Sequence, residues 1–230
     1  MKHSLLSFFI VAILGVTSLW AQPVETLNEA VVLKVTGVPM VIIGSQPARE
    51  LKVGDKLPQG ALITTSGNAE VDIQTFSGSV TTIKPGSNVT LNKLSLTTEG
   101  GKVTKQTALL DLTVGTVVST LDPAKKSIND YSIQTPRGIA AARGTKYSVT
   151  VTNDGVVTTV VTRGTVVFIN PVTKQQVIVN AGFQVEVRPD GTIGEPVRST
   201  SANAPAGFFT GENDTIDPTE TRIIISGDTL

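Results

Sequence analysis

From Val31 to Val197 the chain alternates β-branched and polar residues, with glycine-bearing breaks between the runs. In Ala69–Phe76, Val71 and Ile73 fall on one side and Glu70, Asp72 and Gln74 on the other. A period of two predicts a strand with one face buried. Asn88–Leu96 reads the same way, with one slip near Lys93 that predicts a bulge. Tyr147–Thr152 and Val156–Thr162 flank Asn153-Asp154-Gly155, a three-residue glycine-bearing link that predicts a hairpin. Thr165–Ile169, Gln176–Val179 and Gln184–Val187 continue the series, and Arg188-Pro-Asp-Gly191 closes it with a turn.

No segment after the first 21 residues carries a 3.6-residue apolar stripe, and Ile139–Ala142 is expected to make one helical turn at most. Short strands with turns every 8–12 residues predict a single all-β domain: a sandwich, a β-roll or a short β-solenoid. No fixed period supports a regular repeat array. Ser199–Pro218 is rich in Ser, Thr, Asn, Pro and Gly and reads as a linker. Arg222-Ile-Ile-Ile-Ser226 follows. Its Ile223, Ile224 and Ile225 are a candidate edge strand, expected to dock on their own domain because an unpaired apolar strand invites aggregation. The expected organisation is therefore a signal peptide at 1–21, a lead at 22–30, a β domain at 31–197 and a tail at 198–230.

Composition removes most chemistries. The first 21 residues join a basic start, the apolar run Leu5–Val16 and a small residue at Ala21, the pattern of a secretory signal peptide. The run is shorter than the roughly 20 residues a membrane span needs, so none is expected after cleavage. Both the single histidine, His3, and the single tryptophan, Trp20, lie in that segment, and the chain has no cysteine. A mature chain without imidazole or thiol can build no Ser-His-Asp or Cys-His nucleophile, no His/Cys zinc site and no disulfide. Lipid attachment through a cysteine is excluded on the same ground.

Nineteen basic residues balance nineteen acidic ones, which gives no electrostatic reason to expect nucleic acid. Aromatic residues, at 4%, are too few for a stacking platform. Asp111 and Asp130 are the candidate acid–base carboxylates, but the aromatic-lined cleft that usually accompanies such a pair is missing. The acidic run Glu212, Asp214, Asp217 and Glu220 lacks the spacing of an EF-hand and reads as solvated, as does the turn at Lys125-Lys126. No enzyme, cofactor or metal is expected.

The central stretch Thr135-Pro136-Arg137-Gly138-Ile-Ala-Ala-Ala-Arg143-Gly144-Thr145 holds the candidate interaction residues. It lacks the lysine of a phosphate loop. Gly138 and Gly144 are expected where a Cβ is forbidden. Arg143, with five donors in a planar fork, is expected to bridge two β layers through carbonyls or an internal acid. The alternative is a partner carboxylate or anionic ligand docking there.

Taken with Leu51–Thr65, Phe76–Ser87, Leu112-Thr-Val-Gly-Thr-Val-Val118, Arg163-Gly-Thr-Val166 and Val179–Gln184, this stretch resembles the FecR domain over about residues 31–187. The resemblance implies an exported β module that contacts proteins in envelope signalling. Members that regulate iron uptake carry a cytoplasmic region and a membrane helix ahead of this module. Here it is expected to begin about ten residues after cleavage, so sigma-factor control by this chain alone is not expected. The expected partner is another exported or envelope protein, in the periplasm or outside the cell. The rival expectation is a structural surface or matrix protein that associates with its own copies.

Overall fold

The computed structural model describes residues 22–200 and Pro205, so residues 1–21, the acidic run and the Ile223–Ile225 segment lie outside it. Nine strands come first: β1 (Val24–Leu27), β2 (Ala30–Thr36), β3 (Met40–Ile42), β4 (Arg49–Glu50), β5 (Lys56–Leu57), β6 (Leu62–Thr64), β7 (Glu70–Gln74), β8 (Ser79–Ile83) and β9 (Asn88–Glu99). The twenty-residue β10 (Lys102–Leu121) follows and ends at a 3-10 turn, Pro123–Lys125, capped by the Asp122 side chain. Then come β11 (Asn129–Thr135), β12 (Gly138–Ala142), β13 (Lys146–Val151), β14 (Val157–Arg163), β15 (Thr165–Ile169), β16 (Gln176–Asn180), β17 (Phe183–Val187) and β18 (Val197–Arg198).

These strands form two facing layers. The first runs β4-β3-β6-β9-β10-β11-β12-β15-β16, with β1 added beside β9. The second runs β5-β2-β7-β8-β10-β13-β14-β17-β18. β10 belongs to both, so one hydrogen-bonded network passes from layer to layer through it. Its residues up to Val114 pair with β9, and those from Gly115 pair with β13. Gly115 makes the switch at φ +99°, a conformation that side chains with a Cβ resist. The bulge predicted near Lys93 is present: Leu109 faces Lys93 and Leu110 faces Leu91, leaving Asn92 over.

Alternation puts one face of each strand inside. Ile73, Ile83, Val117, Val149 and Val185 of the second layer join Leu91, Leu110, Ile133, Phe168 and Val179 of the first in one core. Two tyrosines cross this core on edge-to-face ring contacts, Phe76 to Tyr131 at 6.1 Å and Tyr131 to Tyr147 at 6.5 Å. The Tyr131 hydroxyl bonds Thr81 at 2.7 Å and Ser119 at 2.9 Å, tying the first layer to the second. A buried phenol needs such partners.

After β10 the chain stacks hairpins alternately on the two layers: β11–β12, β13–β14, β15–β16, then β17–β18. Their turns gather at one end, where Arg137 lies against Gly155 and Asn170 Nδ2 donates to Gly191 O at 3.0 Å. The crossings between layers gather at the opposite end, at Gly144, Gly164 and Gly182. Ile139–Ala142, expected to hold at most a helical turn, is instead the strand β12. It is sealed between β11 and β15, and small side chains suit the close packing there.

Candidate functional site

The two Arg-Gly steps do not form one site. They sit at opposite ends of β12, five residues and about 17 Å apart. At the turn end, buried Thr135 organises the β11–β12 link. Its Oγ1 donates to Gly138 O at 2.9 Å and accepts from Gly138 N at 3.1 Å and Arg137 N at 3.3 Å. Pro136 is exposed at the tip of the turn. A Cβ on Gly138 would fall 2.5 Å from Ile169 O and 2.5 Å from a Phe168 ring carbon. Arg137 is half-buried over the β13–β14 turn, with its Nε inside and unpartnered.

At the crossing end the expectation for Arg143 fails. Its side chain is exposed, because the chain is leaving the first layer at that point and Gly144, not Arg143, faces the packed 3-10 turn. A Cβ on Gly144, at φ +68°, would lie 2.8 Å from Pro123 Cα. The buried member of the motif is Thr145, whose Oγ1 donates to Thr165 O at 3.0 Å and to Arg143 O at 3.3 Å.

Reading the motif singly hid a duplication. Arg163-Gly164-Thr165 repeats Arg143-Gly144-Thr145 twenty residues later, at the next crossing. The two tripeptides touch: a Cβ on Gly164, at φ +80°, would meet Thr145 Oγ1 at 2.9 Å. Arg163 lies opposite Lys146 in the β13–β14 ladder, and its Nε is buried without a hydrogen-bond partner. The repeated Arg-Gly-Thr was the available signal.

A second feature escaped the sequence. β16 is an outer strand of the first layer, paired among the described residues only with β15. Its sequence, Gln-Val-Ile-Val-Asn, has none of the charges or prolines that usually blunt an edge. Of the other outer strands, β4, β5 and β18 are two residues long, and the four-residue β1 carries the charge of Glu25. On the outward face beside this edge, Ala141, Val167 and Ile178 are register neighbours, and Ile139 and Ile169 pair next to them. All five are half-buried.

The acid–base reading has no geometry to support it. In the parallel β10–β11 ladder Asp111 faces Gln134 and Thr107 faces Asp130, which separates the two carboxylates by four residues, about 13 Å. Asp130 is held by Lys105 Nζ at 2.7 Å. Burial raises the pKa of Asp111 above the usual carboxylate value. Burial also pushes the Tyr131 phenol up to about 12, against the opposing hydrogen bonds of Ser119 and Thr81. Tyr147 is pushed well up by burial, and Tyr131 beside it adds to the shift. Neither tyrosine can serve as a base near neutrality. Among the described residues no group of His, Cys, Asp and Glu could hold a metal, and no helix is long and apolar enough to cross a membrane. A surface hollow of about 570 Å³ between β1, β2 and β5, lined by Leu27, Asn28, Glu29, Val31, Lys56, Pro58 and Gln59, gathers no catalytic constellation.

Residues 61–167, from β6 to the middle of β15, match the family model described as FecR protein. Over this stretch the chain is similar to the FecR family. The match is narrower than the 31–187 resemblance. Outside it, β1–β5 and β16–β18 extend the same two layers on either side of the match. Two crystal structures of a candidate anti-sigma factor from Parabacteroides distasonis ATCC 8503 are similar to the chain at 13% identity, with TM-scores of 0.47 and 0.46. Each comparison pairs 60% of this chain with 59% of that one, so the chain spans about three fifths of that protein's length. No curated protein matches the chain.

Proposed function

We propose that the chain is an exported, non-enzymatic protein-binding module of regulatory signalling in the cell envelope, which receives a strand of its partner along β16. The signal-peptide pattern of residues 1–21 supports export, and the similarity to the FecR family supports a regulatory role carried by protein contact. The observation that carries the reading is the β16 edge: a five-residue strand that, among the described residues, is paired on one side only and lies beside an outward apolar face. Strand addition to such an edge supplies backbone hydrogen bonds for affinity, and neighbouring apolar side chains supply specificity.

The test is affinity capture with the chain from Gln22 to Leu230, from envelope and culture-medium fractions of its source cells, compared with Ile178→Lys. A single receptor or transducer recovered by the first and lost by the second is the expected result. Equal recovery by both would refute the β16 assignment.

The same edge also suits a rival reading, in which the Ile223–Ile225 segment of a second copy adds to β16 and builds a surface assembly. Sedimentation at rising concentration separates the two. Large assemblies that disappear when residues 219–230 are removed would replace the signalling reading with the structural one.

A further inference from the structure

The balanced charge of the whole chain conceals a division. Residues 22–200 hold 17 basic and 14 acidic side chains, a net of +3, whereas residues 201–230 hold Arg222 against five acids, a net of −4. Within the described domain the excess is also uneven. At the crossing end the second layer runs β10, β13, β14, β17, β18, and cations recur along it. Lys126 follows β10, Arg143 and Lys146 flank the start of β13, Arg163 ends β14, and Arg198 lies in β18. Lys126 and Arg143 are close, since a Cβ on Gly144 between them would meet Lys126 Cβ at 3.3 Å. Three acids lie nearby: Asp122, which caps the 3-10 turn, Asp130, which is held by Lys105, and Glu195, three residues before Arg198, which itself lies over the Phe183 ring at 5.7 Å. The turn end, by contrast, mixes Arg137, Lys174 and Arg188 with Asp154 and Asp190.

We propose that this basic row seats the acidic segment Glu212–Glu220 of the chain's own C-terminal extension. The chain leaves the domain at the same end. Ser199 N donates to Gly182 O at 2.9 Å, one residue beyond Arg198. Five neighbouring strands spaced about 4.8 Å apart make a row about 19 Å wide, and nine extended residues span about 27 Å. Twelve residues separate Thr200 from Glu212, and a polar, glycine-containing linker of that length has a root-mean-square reach of about 20 Å. Glu212, Asp214, Asp217 and Glu220 can thus be laid along the row with no other chain involved, at the millimolar effective concentration that a short tether gives. The inference is independent of partner binding at β16, which lies in the other layer.

Carbodiimide coupling, which joins a carboxylate to a lysine amine only where the two are in contact, tests this on the chain from Gln22 to Leu230. The expected products join residues 212–220 to Lys126 or Lys146. Their yield should fall about tenfold between about 0.01 M and about 1 M salt, as the Debye length drops from about 30 Å to about 3 Å. Arg143→Glu combined with Arg163→Glu should lower the yield similarly at low salt. Arg143→Glu alone, at an exposed position, should leave the melting temperature unchanged and still reduce coupling. In a second measurement, acylation of Lys126 and Lys146 should quicken when Glu212, Asp214, Asp217 and Glu220 are replaced by their amides. Coupling spread equally onto Lys174 at the turn end would overturn the proposal, as would no change in acylation. Products joining heavy to light chains in an isotopically mixed sample would also overturn it and assign the row to a second copy's tail.

Discussion

Replacing Gly115 with alanine tests the central claim about the fold, that β10 changes layers where no Cβ fits. The new Cβ would stand 2.4 Å from Ser87 Cα and 2.3 Å from Ser87 Oγ. Ser87 is buried and cannot step aside. Its Oγ donates to Lys84 O at 2.7 Å and accepts from Thr116 N at 2.9 Å, while its backbone N–H donates to Thr65 Oγ1 at 2.9 Å and its carbonyl accepts from Thr65 N at 2.9 Å. Three costs add. A left-handed φ costs a residue with a Cβ about 1–2 kcal/mol. Overpacking against a fixed backbone costs about 1–3 kcal/mol. Distorting the Ser87 bonds costs about 1 kcal/mol. The sum, about 3–6 kcal/mol, is a large part of the roughly 5–15 kcal/mol that holds a domain folded. At about 2–4 °C per kcal/mol for a chain of this length, the melting temperature should fall by about 10–20 °C. Gly60→Ala is the control, because Gly60 has φ +87° but nothing within 4 Å of its Cβ position. It should lose only the conformational share, about 1–2 kcal/mol. Thermal unfolding followed by circular dichroism reads both. Equal losses in the two variants would refute the close approach at Ser87 as the reason for glycine at 115.

The core tyrosines should respond unequally to losing their hydroxyls. Tyr131→Phe strands Thr81 and Ser119, but these are register partners across β8 and β10 and can bond each other, so the loss should be about 1–2 kcal/mol by denaturant unfolding. Tyr147→Phe should be neutral or stabilising, since the Tyr147 hydroxyl is buried without a hydrogen bond while nearby Ser119 is engaged with Tyr131. Asp111→Asn should raise the melting temperature at pH 7. Burial raises the folded pKa of Asp111 above its usual value of 3.8, so the carboxyl's favourable contribution is complete below that value and is lost as pH rises through the folded pKa. The variant's advantage should therefore vanish by about pH 3, and an equal advantage at both pH values would refute desolvation as the cause.

How much was legible in advance depended on whether a signal was local. β7, the β13–β14 hairpin and the bulge opposite Lys93 each write themselves into a short window, as alternation, as a glycine-bearing link or as a slip in the pattern. β12 does not. Ile-Ala-Ala-Ala carries almost no polar contrast, and only its burial between β11 and β15 makes it a strand. Arg143 misled for a similar reason. An arginine beside a glycine reads equally as a buried clamp or as an exposed crossing, and the choice rests on Pro123, which is distant in sequence. The β16 edge depended on which strand is outermost, a fact of topology alone.

The Arg-Gly-Thr duplication shows why the family resemblance identifies a fold more readily than a partner. A hairpin in this stack uses two strands of five to seven residues, a turn and a crossing, and the crossings at Gly144, Gly164 and Gly182 accordingly fall twenty and eighteen residues apart. At Gly144 and Gly164 the glycine supplies a positive φ against a neighbouring segment, and Thr145 secures that pair of crossings through its hydrogen bond to Thr165 O. Their spacing is thus a product of hairpin geometry and would arise whatever the domain bound. The arginines beside them carry no such packing duty: Arg143 is exposed and Arg163 only half-buried. The unblunted β16 edge lies outside the 61–167 match, whereas all of the basic row except Arg198 lies within it, and neither place is fixed by the hairpin stack. Substitutions in those two places should therefore alter recognition while leaving the stack intact, whereas substitutions at the crossing glycines should do the reverse.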